Sequence, residues 1–413
     1  MRSVVREDLI FTKLDEVKVL RDPIHGYIHV SYKVVWDVIN SSRFQRLRRI
    51  KQTGAAYIVY HTADHTRFAH SLGVYEIAQR MCYENKDINN ATSEIEKITV
   101  MLAALLHDVG HGPFSHTFEG VINTSHEEYS MRIIEEGEIG EILESYLPGL
   151  SKQVSAIIGH THPNVLLTSM ISSQLDADRM DYLLRDAYFT GTKYGDYDLE
   201  RVLRTLRVRD GRLLVKESGM HTIEDYIMAR YHMYWQVYYH PVARSFECIL
   251  HKLFMRMKEV YETSPDLLKD VEMFKHVLDG SFDLENHYLL DEYACVYGFE
   301  RLMHCEDKIL RDLARRLINR DLFEYDDVNN VDIEFLKTKV KEAGYDEKYY
   351  IGYDEVRQSP YLPYKNKDER GILILMSDNS ICELSKASSI VASLISGTNK
   401  NDYKVFVPKE VFE

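Results

Sequence analysis

Apolar positions along this chain recur in two rhythms. In VKVLRDPIHGYIHVS, apolar and polar residues alternate on both sides of a Pro/Gly turn, which predicts a short antiparallel strand pair. From about Tyr32 to Arg320 the spacing becomes i, i+3, i+4. VVWDVINSSRFQRLRRI, FAHSLGVYEIAQRMC, ITVMLAALLH, SSQLDADRMDYLLRDAYF and IEDYIMARYHMYWQVYYH each predict helix. LRVRDGRLLVK interrupts them as a hairpin, because Asp210-Gly211 divides two short alternating runs. After about Asn329 the text changes again. GILILMSDNSICELS holds two β-rich runs around a polar turn, SSIVASLISG predicts a short helix, and YKVFVPKEVF predicts a closing strand. The expected fold class is mainly α: a helical domain with short β elements over residues 1–328 and a small α+β lobe over 329–413.

The helix predicted from ITVMLAALL runs straight into HDVGHGPFSH, which crowds His107, Asp108, His111 and His116 into one turn. An imidazole inside a core costs free energy unless its nitrogens are bound. His107 and Asp108 are adjacent, so on a helix they point ~100° apart and reach one ion only near a terminus. Gly110 supplies that terminus on this reading. His70 falls near the start of another predicted helix. Asp178, Tyr182 and Asp186 fall at i, i+4 and i+8 of a third and share one face. Each of these groups alone is what a helix cap or a solvated face also presents. Their combination is not. A separate basic stretch, Arg43, Arg46, Arg48, Arg49 and Lys51, reads either as a solvated helix face or as an anion site.

Composition narrows the classes. The 413 residues allow two or three domains, and 45% hydrophobic with 28% charged residues is ordinary for a globular protein. The longest apolar stretch, Ile98 to Leu106, is too short to cross a bilayer, and MRSVVREDLIF lacks the apolar core of a signal peptide. A cytoplasmic protein without membrane attachment is expected. Five cysteines with no CxxC pair argue against a disulfide framework or a thiolate metal site. The net charge of −14 disfavours nucleic acid as a partner. A local basic cluster escapes that argument, since screening sets in within ~8 Å at physiological salt.

The order His70, His107-Asp108, Asp178 resembles the H…HD…D metal-binding pattern of the HD superfamily of phosphohydrolases. RDPIHG, FQRLRRIKQTG, HTRFAHSLGV, LLHDVGHGPFSH, SHEE and DADRMDYLLRD resemble its deoxynucleoside triphosphate triphosphohydrolase branch, from about Lys18 to His240. No SAM-like stretch precedes Lys18, which implies the bacterial form. The resemblance implies an HD-domain helical core and four metal ligands, His70, His107, Asp108 and Asp178, holding a divalent ion such as Mn, Fe or Mg. Two imidazoles and two carboxylates suit a first-row ion better than Ca, which prefers oxygen shells. Such an ion acidifies water and polarises phosphoryl oxygens.

The implied reaction is dNTP plus water to deoxynucleoside and inorganic triphosphate. The departing 5′ oxygen needs a proton, for which His111, His116 and His126 are candidates. The resemblance places catalytic histidines at His116 and His126 and their carboxylate partner at Glu119. Arg67, Arg179 and Arg230 match phosphate contacts; Gln52, Asp186 and Tyr238 match deoxyribose contacts, and Tyr182 lies on the same stripe. A regulatory nucleotide, GTP or a dNTP, is implied at Lys18, Val19, Gln45 and Arg48, with Arg201 and Lys216 at a neighbouring site, in a homotetramer. Asn40 stands where the family has an Asp that reads guanine. Two other functions fit the same residues: another HD phosphohydrolase, such as a nucleotidase or phosphodiesterase, and a non-catalytic binder of single-stranded nucleic acid.

Overall fold

The alternating first segment forms an antiparallel ladder, β1 (Lys13–Asp22) against β2 (Gly26–Tyr32), with Asp22 opposite Gly26. Asp22 closes the turn: its Oδ1 accepts from Ile24 N at 2.9 Å and His25 N at 3.0 Å. This is a computed structural model, and it describes residues 7–122, 124–358, 371–396 and 400–411.

Helices dominate the chain beyond β2, as the i, i+3, i+4 spacing requires. Lys33–Asn40 (α1) is the first. Arg67–Glu84 (α2), Glu94–Leu106 (α3) and Ala177–Thr190 (α6) form the centre; α2 packs on both of the others. α3 starts at a capping box, Ser93 with Glu96, and every residue from Lys97 to Leu106 is buried. Between α3 and α6 come His116–Ile122 (α4) and His126–Glu135 (α5). After α6 the chain forms Leu199–Thr205 (α7), then strands β3 (Leu206–Arg209) and β4 (Arg212–Lys216). Asp210 and Gly211 both take positive φ between them, the conformation a two-residue hairpin demands.

Met220–Met233 (α8) runs into a π-type turn over Tyr234–Tyr238, and Pro241–Thr263 (α9) is the spine of a second apolar cluster. Glu292–Leu302 (α10) belongs to that cluster as well. β5 (Glu324–Asp327), β6 (Gly352–Gln358) and β9 (Lys400–Val407) make an antiparallel sheet of order β5-β9-β6. β7 (Leu373–Leu375) and β8 (Ile381–Glu383) instead extend the β3-β4 hairpin, β7 running parallel to β4. The chain after residue 329 thus feeds two sheets. Ile374 and Leu384 join the first apolar cluster, while Val405 and Phe406 join the second.

Two local expectations change. VVWDVINSSRFQRLRRI is not one helix. It breaks at Ser41, whose Oγ accepts from Phe44 N at 3.3 Å; beyond it come a short turn Ser42–Gln45 and a 3-10 segment Arg46–Arg49. Ser42 is held outside the first helix by Glu138, which accepts from its N at 3.1 Å. Gly110 does not end α3, which stops at Leu106. Its role is close approach: an added Cβ would lie 2.2 Å from both His126 O and Ser130 N of α5. No helix among the described residues is long and apolar enough to cross a membrane.

Candidate metal centre and nucleotide cleft

His70 projects from the first turn of α2, His107 and Asp108 come directly after the last turn of α3, and Asp178 lies in the first turn of α6. Three elements packed on one another therefore bring four distant residues together. His70 Nε2 lies 3.1 Å from Asp178 Oδ1 and 3.7 Å from Asp108 Oδ2. His107 Nε2 lies 3.3 Å from Asp108 Oδ1 and 3.6 Å from Asp178 Oδ1. One ligand atom each from His70, His107 and Asp108 falls within 4.8 Å of the others.

Both imidazoles are oriented from behind. His107 Nδ1 donates to Ala104 O at 2.8 Å, and His70 Nδ1 donates to Asp181 Oδ2 at 2.8 Å. Those bonds fix the ring orientations and turn both Nε2 atoms towards the carboxylates, with His70 Nε2 hydrogen-bonded to Asp178 Oδ1 at 3.1 Å. His107 Nε2 is buried without a hydrogen-bond partner, the signature expected of a ligand atom. Burial alone would depress the His70 imidazolium, yet Asp178 and Asp181 outweigh it and push its pKa up to about 10. Burial likewise opposes charge on Asp108 and Asp178. Arg67 and His107 on the first, and His107 and His70 on the second, hold both below the usual carboxylate range. The cluster demands positive charge, and a divalent ion fits that demand.

Asp181, not singled out in the sequence, anchors this arrangement. Its Oδ1 lies 2.6 Å from His25 Nε2, and Arg185 Nε donates to its Oδ2 at 2.8 Å. Arg185 Nη1 donates in turn to Asp22 Oδ2 at 2.8 Å. The β1-β2 turn is thereby wired to His70. The available signal was a carboxylate and a guanidinium four residues apart at helical positions that would otherwise be apolar, in MDYLLRD.

Beside these residues opens a cleft of about 720 Å³, lined by Gln52, Arg67, Asp108, Asp178, Tyr182 and Asp186 among others. Arg67 is buried. Its Nη1 pairs with Asp108, and its Nη2 donates to Ser115 Oγ at 2.8 Å. The Nε atoms of Arg67, Arg179 and Arg230 are buried with no protein acceptor. Arg179 is tethered to Asp176 and Ser173 O, while Arg230 stands behind Tyr234 with Nη1 3.5 Å from Gln174 Oε1. Farther along, Tyr238 Oη donates to Asp186 Oδ2 at 2.5 Å. His65 Nε2 holds Asp186 Oδ1 at 2.8 Å while its ring stacks on Phe189. The π-type turn sets Tyr234 and Tyr238 edge to face at 5.1 Å, with Tyr182 edge-on to Tyr238 at 6.1 Å. Gln52 Oε1 is buried and unbonded. His65 and Tyr234 carried no sequence signal beyond being polar or aromatic.

The His-rich turn carries a second group. His126 Nδ1 donates to Glu119 Oε1 at 2.7 Å, and its ring stacks on His111 at 3.8 Å. His111 Nε2 lies 3.4 Å from Asp108 Oδ1; burial, with Arg67 and His126 adjacent, keeps its pKa well below the usual value. His116 begins α4, and its side chain lies outside the described residues.

The remaining sequence candidates lie away from the cleft. Lys18 and Val19 sit on β1, Gln45 Oε1 accepts from Arg48 Nε at 2.8 Å, and the Arg48 guanidinium covers the Phe68 ring. Arg201 and Lys216 line a separate cavity of about 280 Å³ with Arg204 and Arg207.

Known proteins share this geometry's sequence framework. The model of the HD domain matches residues 67–186, and that of the HD associated region matches 197–413. The uncharacterized protein YwfO of Bacillus subtilis (strain 168) is 45% identical over 407 residues, 97% of this chain and 94% of that one. Human deoxynucleoside triphosphate triphosphohydrolase SAMHD1 is 26% identical over 366 residues, which is 77% of this chain and 56% of the human protein. The crystal structure of a phosphohydrolase from Bacteroides thetaiotaomicron superposes with a TM-score of 0.79 at 29% identity, covering 95% of this chain and 99% of that one.

Proposed function

The chain belongs to the HD-domain phosphohydrolases that carry an HD associated region, and from that premise we propose that it converts a dNTP and water to deoxynucleoside and inorganic triphosphate. One observation carries the reading. A single cleft is lined side by side by Asp108 and Asp178 of the His/Asp set, by Arg67 and Arg179, each with a buried Nε that lacks an acceptor, and by a closed polar-aromatic end at Asp186 and Tyr238. They answer to three features of a deoxynucleoside triphosphate: a reacting phosphate, further anionic phosphates and a sugar.

His70, His107, Asp108 and Asp178 would hold the ion, which when bound would supply Lewis-acid polarisation of a phosphoryl oxygen and a lowered pKa for water. Arg67, Arg179 and Arg230 offer their free N–H groups to the remaining phosphate oxygens. His126 is the proton donor to the departing 5′ oxygen. Glu119 holds its Nδ1, so Nε2 is the atom that exchanges the proton. His111, kept neutral, packs beneath it. Asp186, Tyr238, Tyr182 and Gln52 take the deoxyribose, with Tyr238 filling the space a 2′-hydroxyl would need. An activating GTP or dNTP sits at Lys18, Val19, Gln45 and Arg48 and at the Arg201–Lys216 cavity, assembling a homotetramer. Around that cavity the basic Arg201, Arg204, Arg207 and Lys216 outnumber the acidic Asp198 and Glu200, which supports an anionic ligand.

The test is product analysis with each dNTP and Mn, Mg or Fe, with and without GTP, singly and in mixtures. Deoxynucleoside and triphosphate in equal amounts are expected, and Asp108→Ala should lose both metal and turnover. Orthophosphate or a monophosphate as first product would assign a different phosphohydrolase reaction. Full turnover of every single dNTP without GTP would remove the activator.

A further inference from the structure

The turn that carries Ser115 is gripped by a segment remote from it in sequence. His287 Nε2 donates to Gly110 O at 2.8 Å. The buried Arg46 guanidinium donates to His111 O at 2.8 Å and to Leu290 O at 2.7 Å. Glu292, the first residue of α10, accepts from Phe114 N at 3.1 Å through Oε1 and from Lys51 N at 2.9 Å through Oε2. Residues 287–292 thus engage Gly110 and Phe114 directly and His111 through Arg46. They lie in the HD associated region, outside the matched HD domain.

Phe114 and Ser115 need such a grip. Both adopt positive φ, 57° and 51°, a conformation that disfavours side-chain-bearing residues and persists only where surroundings enforce it. The consequence reaches the cleft, because Ser115 Oγ is one of the two side chains that hold the Arg67 guanidinium, Asp108 being the other. Glu292 is buried, and its whole carboxylate is spent on the two backbone donors.

We propose that Glu292 is a positioning residue of the cleft: it holds the left-handed pair Phe114–Ser115 in place and, through Ser115, aims Arg67. The functional part rests on the reading of Arg67 as a phosphate contact; the mechanical part does not.

Glu292→Gln preserves shape but turns one acceptor into a donor facing a donor. With Mn present, exchange of whichever amide, Phe114 or Lys51, faces the new NH2 should quicken by about tenfold or more, while amides in α3 keep their protection. Binding of inorganic triphosphate should weaken by about tenfold in Glu292→Gln and similarly in Ser115→Ala. The double variant should be no worse than the weaker single one, because both act through one contact. Unchanged exchange at both Phe114 and Lys51 in a folded Glu292→Gln protein, or losses that multiply in the double variant, would overturn the proposal. A wild type that hydrolyses no dNTP while these couplings hold defeats the assigned reaction alone. If the wild type binds no triphosphate, the exchange result decides the positioning role by itself.

Discussion

His70 and Asp181 form a buried pair: Nδ1 donates to Oδ2 at 2.8 Å, with both side chains closed to solvent. The bond fixes the orientation of the His70 imidazole, a proposed metal ligand, and Arg185 and His25 hold Asp181 from the other side. Asp181→Asn should therefore weaken Mn affinity by ~10–100-fold, the usual cost of removing an oriented partner behind a ligating histidine. Calorimetric titration of a variant shown to be folded reads this. Affinity equal to wild type would show that Asp181 serves only the ion pair with Arg185.

Gly73 makes the same network sensitive to packing. A Cβ there would stand 1.9 Å from Asp181 Oδ1 and 2.4 Å from Arg185 Nη2. α2 approaches α6 so closely because this residue has no side chain. Gly73→Ala should cost about 3 kcal/mol of stability, since it overpacks the helix contact and displaces a buried ion pair. Urea denaturation would register the loss, and a wild-type midpoint would mean that the helices separate without strain.

How far the sequence reveals this site depends on what its signals encode. Local order places the elements: the RDPIHG turn, the 93–96 capping box and the Asp210-Gly211 hairpin are chemistry between near neighbours. The quartet His70, His107, Asp108 and Asp178 was legible by resemblance, and it does converge. Asp181, His65 and Glu292 were not. Each acts through a partner distant in sequence, 111 residues away for Asp181 with His70 and 178 for Glu292 with Phe114, and no periodicity encodes such a pairing. Arg46 fits neither reading of its basic stretch, a solvated helix face or an anion site: the chain breaks at Ser41, and Arg46 turns inward onto two carbonyl oxygens.

Tyr238 donates its hydroxyl to Asp186, which His65 holds from the opposite side. Tyr238→Phe keeps the ring but frees one carboxylate oxygen to swing. A hydrogen bond to a charged group contributes about 1.5–3 kcal/mol, so kcat/KM for a dNTP should fall by roughly tenfold or more, with metal content unchanged. Discrimination against the matching ribonucleotide should persist, because the ring supplies the steric block. Equal turnover of both sugars by the variant would transfer that role to the hydroxyl.

Glu292 offers a pH-dependent test of a buried carboxylate. Burial pushes its pKa up from the ordinary 4.5 to about 7, against the lowering influence of the Phe114 and Lys51 amides, Lys51 and Arg67. The folded protein therefore keeps this proton in a pH range where the unfolded chain has already released it. Ionising Glu292 between pH 4.5 and 7 consequently costs the fold stability, and the cost is complete above pH 7. At about 1.4 kcal/mol per unit, the loss amounts to about 3 kcal/mol. Glutamine does not ionise. Stability of Glu292→Gln relative to wild type should thus rise as pH goes from about 5 to about 8, even though its Phe114–Ser115 turn is the looser one above about pH 7, where wild-type Glu292 is a carboxylate. Denaturation midpoints of the two proteins across that range give the difference directly, and parallel curves would mean that Glu292 titrates normally. A residue that weakens the fold in its charged form while holding the turn in that same form is the trade expected where a site is built on strain.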